Sequence, residues 1–568
     1  MPSNNLLSEI EVKLAGSKAP TAFMESLMEA TVENSLHLPS VATLLLYDAD
    51  LTWIDDSRVA PGKALQIIMS ANSQMQQVFD GEIVELEPDF DKGVQRLTIR
   101  AFDRMHRLAR GQQTRSFLNV NDSDLIQRLA SEAGLSAKVD PTSVVYPYVF
   151  QNNETNLAFL RKRAAALGYL LYVQERTLYC QAPRGNGSPV TLEWGKNLNE
   201  FHPRLSTIEQ VGKMEARGWD PSNKQAIVGQ STSNAGIGAP SLGSGSSDGG
   251  TFAQKAFGMT TQILVADRPI RTQGQADQLA KAAANRQTGT FIEAEGLCYG
   301  NPKLVAGIPV AITKVGRRFS GTYFVTNTVH TYSAQQGYHT QFNVSGLHPT
   351  ALIHQLLEKE RAEHMPGLVI GIVTDNNDPD NMGRVKVKYP WLSEEHASYW
   401  ARVIAPGAGN QRGIEFLPEV NDEVLVGFEL GDINYPYVLG GLWNGQDKLP
   451  ESVVVAGQVQ KRIIRSRLGH IITLDDSDSG GGITIQDKNG NKIILNSAEN
   501  KLNINVQGEA SIEANGNITL KTQADMNLEA TGQMKIKANA GVSIDGGAGN
   551  TEIKGLNVNV KGIMINLN

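Results

Sequence analysis

The most regular pattern of apolar and polar residues in this chain begins at Lys501 and repeats every eight residues. Its consecutive octads are KLNINVQG, EASIEANG, NITLKTQA, DMNLEATG, QMKIKANA and GVSIDGGA. Even positions are mostly apolar or small, and odd positions are mostly polar or charged. The second position holds Leu502, Ala510, Ile518, Met526, Met534 and Val542, the fourth holds Ile504, Ile512, Leu520, Leu528, Ile536 and Ile544, and the eighth holds only glycine or alanine.

This alternation predicts that each octad is a β-strand with one wet face and one buried face. The small eighth residue leaves room for a sharp corner. Because a lone strand cannot bury its own apolar face, we expect the octads to stack as a β-helix, either as one chain with three octads per turn or as three chains that each form one side of a triangular prism. A flat meander is less favoured, since it needs turns such as Asn-Gly, which among the octads occurs only at EANG–NITL.

Upstream of the repeat, short alternating strands predict a small barrel. In RVKVKY, Val385, Val387 and Tyr389 point to one face, while Arg384, Lys386 and Lys388 point to a solvated face. Further strands are predicted at GLVIGIV, YWARVI, DEVLVGFELGD and INYPYVLGGLW. About five short strands in about 80 residues are typical of an OB-fold, which we assign to 365–450, leaving 451–568 as a β-helix spike.

The N-terminal region, 1–228, has a mixed α and β pattern. LTIRAF at Leu97–Phe102 alternates as a half-buried strand. One helix is predicted from an N-cap at Ser123 to Gly134, and another from about Glu154 to Leu167, ended by Gly168. Arg161, Lys162 and Arg163 lie mostly off the apolar face of the second helix and are interpreted as solvated.

A Gly/Ser-rich stretch, 229–251, is predicted to be a flexible linker. It is followed by a second region, 252–364. That region has a predicted helix at Gln275–Arg286 and predicted strands at Val310–Val315 and Thr322–Val329.

Composition supports a β-rich protein of several domains. A chain of 568 residues is too long for one core, and 55 glycines with 6% aromatic residues indicate many tight turns. The net charge of −7 argues against binding to nucleic acid or anionic membranes. Cys180 and Cys298 are predicted to be small core residues. We find neither an apolar run of membrane-spanning length nor a secretory signal, so we expect synthesis and assembly in the cytoplasm and export by another route.

Several polar clusters contain the residue types of metal sites. The loop with Asp375, Asp378 and Asp380 lacks the ligand order of an EF-hand, and so does DDSDSGGG from Asp475, where Gln486 stands in place of the closing glutamate. His330, His339 and His348 recur at odd spacings, which place successive residues on opposite faces of strands. His470 is a weaker candidate. Turns and core packing are the favoured interpretation of these residues.

The barrel also contains residue types that bind ligands in other OB-folds. Lys386, Lys388, Tyr389 and Trp391 have the character of an OB-fold binding groove, but the acidic chain and its few aromatic residues favour packing. No P-loop, nucleophile-elbow or H-E-x-x-H motif stands out. We therefore predict no catalytic, cofactor-binding or metal-binding residue.

The barrel and the octads together resemble VgrG-type spike proteins of contractile injection systems. The resemblance rests on the order of GLVIGIVTDNNDPDNMGRVKVKYPW, DEVLVGFELGD and GGLWNG in the barrel. Upstream, QNNETNLAFLRKRAAALGYLLYV is similar to a hub helix of that family, and FSGTYFVTNTVHTYS is similar to its second hub barrel. The resemblance covers nearly the whole chain.

The resemblance implies a mainly β protein with minor α content: a two-barrel phage-hub-like region, an OB-fold collar and a trimeric β-helix needle. It also implies a homotrimer with inner-tube and baseplate partners, a PAAR-like tip protein, possible effector cargo and a target membrane that is pierced mechanically. Phage spikes often carry a lysozyme between collar and needle, and some relatives carry a C-terminal effector, whereas this sequence keeps a strand pattern through GIMINLN. We therefore expect a structural protein rather than an enzyme.

Two further hypotheses belong to other functional classes. The alternative is an OB-fold adhesin or effector carrier, and a cell-wall hydrolase is a third interpretation without a domain to support it. The hub region is closer in character to extracellular, phage-tail-like particles than to type VI secretion spikes, and we predict the extracellular subtype.

Overall fold

The computed structural model of the chain describes residues 9–71, 74–91, 94–184, 187–232, 241–242, 248–346, 367–478 and 480–566. The chain divides into two compact units, 1–448 and 449–568. Among the described residues, no helix is long and apolar enough to cross a membrane.

The first unit begins with a run of long antiparallel strands. Their inward residues, such as Val12, Leu44, Ile67 and Ile99, are fully buried and form one core with Phe23 and Trp53. The elements are β1 Glu9–Leu14, β2 Ser17–Lys18, α1 Thr21–Ser26, β3 Leu27–Ser35, β4 Val41–Tyr47, β5 Ala64–Ala71, β6 Gln74–Asp91 and β7 Val94–Phe102.

A small α/β insert with its own core follows the 3-10 helix Arg104–Ala109. Its elements are β8 Gln113–Asn121, α2 Asp122–Glu132, β9 Ser136–Val139, β10 Val145–Glu154, α3 Asn156–Leu167, β11 Leu170–Gln174 and β12 Thr177–Gln181. The predicted N-cap is wrong, because the Asn121 side chain accepts the Asp124 N–H at 2.8 Å and the helix begins at Asp122. Gly168 ends α3 as predicted, with a φ of 68°.

The rest of the hub continues with these elements: β13 Val190–Glu193, β14 Leu198–Leu205, β15 Lys213–Asp220, β16 Gln225–Thr232, β17 Ser241–Leu242, α4 Gly249–Phe257, β18 Gln262–Val265, α5 Gln273–Thr290, β19 Ile292–Tyr299, β20 Pro309–Thr313, α6 Gly316–Phe319, β21 Gly321–Phe324, β22 Asn327–Ser333 and β23 Gly337–Val344. The strand predicted at Thr322–Val329 is two strands in different sheets, and Val325–Thr326 separate them. Helix α5 is longer at both ends than predicted, and at its start Thr272 and Gln275 form a capping box.

The two hub regions share one antiparallel sheet of eleven strands. Its order is β14-β19-β23-β22-β3-β4-β7-β6-β5-β1-β2, and β22 pairs with β3 where the regions meet. A second core includes Phe291, Val310, Tyr323 and Phe342 of the later region together with Leu192 and Leu198 of β13 and β14.

The predicted linker, 229–251, contains regular structure at both of its ends. Residues 229–232 complete β16, which pairs with β15, and α4 begins at Gly249 with its N-cap at Asp248. Residues 233–240 and 243–247 of this segment lie outside the described residues. The prediction of a flexible linker is therefore corrected at its ends, where strand pairing and helix capping satisfy the backbone.

The last part of the first unit is the predicted small barrel. Strands β24 Val369–Asp375, β25 Arg384–Lys388, β26 Ala401–Val403, β29 Glu423–Phe428 and β30 Pro436–Gly441 close in the order β24-β25-β26-β30-β29, and β27 Ala408–Gly409 pairs with β28 Arg412–Gly413 outside it. Val385, Val387 and Tyr389 point into its core as predicted. The boundary placed at 364/365 lies outside the described residues.

The second unit is built from antiparallel hairpins. Its strands are β31 Val454–Val455, β32 Gln458–Val459, β33 Lys461–Arg465, β34 Ile471–Asp475, β35 Gly482–Gln486, β36 Lys492–Asn496 and β37 Lys501–Asn505. The sheet order β33-β34-β35-β36-β37 is a meander, and it includes the first octad. The prediction that disfavoured a meander is therefore wrong for that octad. The described residues after Asn505 contain no assigned strand in the single chain.

One ion pair inside the insert corrects the solvated interpretation of the basic run on α3. Arg163 Nε lies 2.6 Å from Oδ1 of the fully buried Asp122, and its guanidinium covers the Tyr146 ring at 4.2 Å. Arg161 donates to the His37 carbonyl at 2.7 Å. These contacts tie α3 to neighbouring elements.

We expect Arg163→Met to lower the free energy of unfolding by about 3 kcal/mol, because the Asp122 carboxylate would stay buried without its cation. Urea denaturation measures this loss. The control is Arg128→Met, which removes an exposed pair with Glu132 at 3.3 Å and should cost about 0.5 kcal/mol or less. Equal losses in the two variants would contradict a structural role for the buried pair.

Candidate functional site

Two rows of apolar side chains run across one face of the meander in the second unit. Alternation along each strand places them on the same side, and the pairing register aligns them from strand to strand. One row is Ile464, Ile472, Ile485, Ile493 and Ile504, and the other is Leu474, Ile483, Leu495 and Leu502. We call these residues the apolar rows.

The apolar rows are exposed in the single chain. Their side chains are between 38% and 66% accessible, although isoleucine and leucine are usually buried in folded proteins. The second and fourth positions of the octads continue the same alternation, and their large residues are between 49% and 81% accessible. A contiguous apolar surface of this kind marks an interaction site.

Polar hairpin turns hold the meander strands in register. Oδ1 of Asp487 accepts the backbone N–H groups of Asn489 and Asn491, each at 2.9 Å, and Asn491 also donates to Oδ2. These hydrogen bonds lower the pKa of the Asp487 carboxyl, the Asn491 side-chain bond contributing most. Gly490 completes the turn with a φ of 91°. The apolar face is therefore presented by a sheet whose turns are satisfied locally.

The acidic loop of the barrel is organised around an arginine. Both oxygens of Asp378 contact the Arg384 guanidinium, with Nε–Oδ2 at 2.9 Å, and Asp378 also accepts three backbone N–H groups of the loop. The Arg384 hydrogen bond holds the pKa of Asp378 far below its usual range. Asp375 pairs with Lys386 at 3.3 Å. Arg384 is buried, so its predicted place on a solvated face is wrong.

The candidate binding residues of the barrel are divided between its core and its surface. Tyr389 is buried, whereas Trp391 is half exposed and donates from Nε1 to the Ile370 carbonyl at 3.2 Å. Lys388 pairs with Glu394 at 2.9 Å. Lys386 lies 4.6 Å from the centre of the Trp400 ring. The structure therefore does not bring these four side chains together into one groove.

The histidine series does not converge either. His330 is fully buried and its Nδ1 lies 2.7 Å from the Tyr338 hydroxyl, while His339 pairs with Thr331 on the opposite face. His348 lies outside the described residues. In the part of the chain that the structure describes, no three His, Cys, Asp or Glu side chains are grouped to hold a metal ion.

The remaining candidates occupy turns and cores. The stretch from Asp475 forms the turn between β34 and β35, with Ser479 outside the described residues, and the exposed His470 lies in the turn before β34. Cys180 and Cys298 are buried free thiols, and burial raises the pKa of Cys298 to about 12.

A cleft that the sequence did not predict lies between the hub insert and the barrel. Its volume is about 270 Å³, and Tyr146, Tyr148, Arg271, Arg402 and Tyr437 are among its lining residues. Tyr148, one of these lining residues, donates from its hydroxyl to the Ala397 carbonyl at 2.8 Å. These residues lie far apart in the chain, so no local motif could have found the cleft.

Comparison with known proteins identifies two families. Residues 4–334, more than half of the chain, match the family described as the Alg8 N-terminal domain. Residues 369–443 match the type VI secretion system/phage-baseplate injector OB domain, in agreement with the closed barrel.

Individual relatives cover shorter stretches. The chain is 28% identical over 140 residues to the type VI secretion system spike protein VgrG5 of Pseudomonas aeruginosa, covering 23% of this chain and 16% of that protein. It is 40% identical over 75 residues to VgrG3 of Vibrio cholerae, covering 12% of this chain and 7% of that protein. The chain thus spans only a small share of these relatives.

The fold has a wider match. The solved structure of the Francisella PdpA–VgrG complex, half-lidded, superposes with a TM-score of 0.50 at 9% identity and covers 89% of each chain. The predicted resemblance to VgrG-type spike proteins is confirmed, and so is the predicted mainly β fold with a phage-hub-like region and an OB-like barrel.

We expect His330 to make stability depend on pH. Burial lowers its pKa to about 4, so between about pH 6.5 and pH 4 the unfolded chain binds a proton that the folded chain does not. Stability is therefore lost as the pH falls through this window, by about 1.4 kcal/mol per pH unit at most. Urea denaturation at several pH values measures the slope.

His330→Gln should remove this part of the slope. The exposed His202→Gln is the control and should keep the slope of the unmodified protein. An unchanged slope in His330→Gln would contradict the assignment.

Proposed function

This chain belongs to the family of the Alg8 N-terminal domain, and we propose that it is the homotrimeric central hub and spike of a contractile injection system. In this proposal the hub caps the inner tube and organises the baseplate. The second unit is the needle that breaches the target membrane when the system contracts.

The exposed apolar rows are the observation that carries the proposal. Each large aliphatic side chain that moves from water into a packed core contributes about 1.5–3 kcal/mol. The rows occupy only one side of the meander and its continuation, so a second surface of the same character would cover them. Identical copies of this chain supply such a surface.

Three copies are favoured over the one-chain winding that the octads also allow. A single chain wound with three octads per turn would bury the second and fourth positions inside itself. In the structure the large residues at these positions are exposed, including Leu520 and Ile536 at 70%. The resemblance to VgrG-type spikes supports three as the number of copies.

A mechanical role fits the chemistry of the individual side chains. The acidic loop binds an arginine of its own barrel, and His330 is hydrogen-bonded inside the hub core. VgrG5 of Pseudomonas aeruginosa and VgrG3 of Vibrio cholerae are described as spike proteins. We propose that this chain itself catalyses no reaction and contributes stiffness through paired strands.

The partners form part of the same proposal. The structure of the Francisella PdpA–VgrG complex contains a spike protein together with another protein, which supports carriage of a partner by this fold. We propose inner-tube and baseplate proteins, a PAAR-like tip protein and effector cargo as partners. The extracellular, phage-tail-like subtype rests on the character of the hub sequence and stays a prediction.

Light scattering on the purified full chain tests the trimer. We expect the mass of three copies, and a stable monomer would overturn the proposal.

A pair of neighbouring substitutions tests the phase of the octads, that is, the assignment of the second and fourth positions to the buried face. Leu528→Asp should block trimer formation, because it places one carboxylate per chain in a narrow apolar core. Asn527→Asp is the matched control: it adds the same side chain at the next, outward position and should leave the trimer intact. Light scattering compares the two. A normal trimer in Leu528→Asp would show that the assigned phase is wrong.

A further inference from the structure

The fifth position of the octads carries an alternating charge. From the second octad onward it holds Glu513, Lys521, Glu529, Lys537 and Asp545. All of these side chains are exposed in the single chain. The other odd positions differ: the third holds one charged residue, Lys535, the seventh holds none, and the first has no sustained alternation. The pattern is therefore specific to one position.

The geometry of a three-chain prism determines which fifth positions meet. Each octad occupies one side, and the corner at the eighth position carries the chain to the next side. At each height along the prism axis, each of the three sides must hold one strand. With threefold symmetry this requires that a chain rises by one strand spacing, about 4.8 Å, at each corner. On any side, the strand next to a given octad is then the following octad of a neighbouring chain.

The same geometry aligns equal positions of adjacent octads. Glu513 of one copy therefore lies beside Lys521 of a second copy, and that lysine lies beside Glu529 of the third. Strand neighbours at this spacing are close enough for their side chains to form ion pairs. Each side of the prism carries one column, Glu-Lys-Glu-Lys-Asp, in which every pair joins two chains.

We propose that these five residues form an inter-chain ladder of ion pairs that sets the register of the three copies. The inference rests on the proposed trimer and goes beyond it. The apolar positions repeat in every octad, so by themselves they tolerate a slip of one octad. Such a slip places Glu513 beside Glu529 and Lys521 beside Lys537, and adjacent like charges destabilise the slipped arrangement.

The decisive variant makes the column uniform in sign. Lys521→Glu with Lys537→Glu leaves only acidic residues at the fifth position of these octads. We expect the temperature at which the trimer dissociates to fall by about 5–10 °C. Much of this loss should be recovered in 1 M salt, where the Debye length is about 3 Å. Light scattering during heating measures the dissociation.

The charge-matched control changes other outward positions. Ser511→Glu, Gln523→Glu and Lys535→Glu together alter the net charge of each chain by the same amount, without making adjacent like charges in a column. This control should dissociate within about 2 °C of the unmodified protein. A control as unstable as the uniform variant would overturn the ladder.

Reversal of the whole column restores alternation. The variant Glu513→Lys, Lys521→Glu, Glu529→Lys, Lys537→Glu and Asp545→Lys should assemble as a trimer of near-normal stability. It keeps the inference testable even if the uniform variant does not fold. A monomeric unmodified protein would contradict the proposed function. A normal trimer whose dissociation temperature is the same in all of these variants would contradict only the ladder.

Discussion

An apolar sheet face must be covered, and in this chain that requirement is strongest in the second unit. The hairpins of β33–β37 satisfy their backbone groups within the chain, yet their apolar rows stay exposed. Local folding and completed burial are therefore separate steps. If copies of the chain cover the apolar rows, then the second unit completes its fold only on assembly, and its stability depends on protein concentration.

In the first unit, apolar side chains of the hub insert and the barrel are buried against each other within one chain. Tyr148 and Phe150 of the hub insert pack into the core of the barrel, and the Phe150 N–H donates to Asn434 at 2.8 Å. Arg271, at the start of α5, reaches Glu429 and Tyr437 of the barrel. The hub and the barrel thus share a core and polar contacts.

Two buried ion pairs of the first unit fasten a loop and a helix. Arg384 closes the acidic loop through Asp378, and Arg163 joins α3 to α2 through Asp122. Both arginines belong to short runs of basic residues that alternation and helical spacing assigned to solvent. Periodicity reports which face a residue occupies, but it contains no information about a carboxylate elsewhere in the chain that covers that face.

Several features of this protein were determined by its sequence alone: the closed barrel, the end of α3 at Gly168, and the apolar face of the first octad. All depend on near-neighbour physics, namely the two-residue period of strands and the tolerance of glycine for positive φ. Only the tertiary structure determined the shared eleven-stranded sheet, the cleft beside the barrel and the entry of the first octad into a meander. Each of these depends on pairing between distant segments, and a repeating pattern specifies which face of a strand is apolar without specifying which surface will cover it.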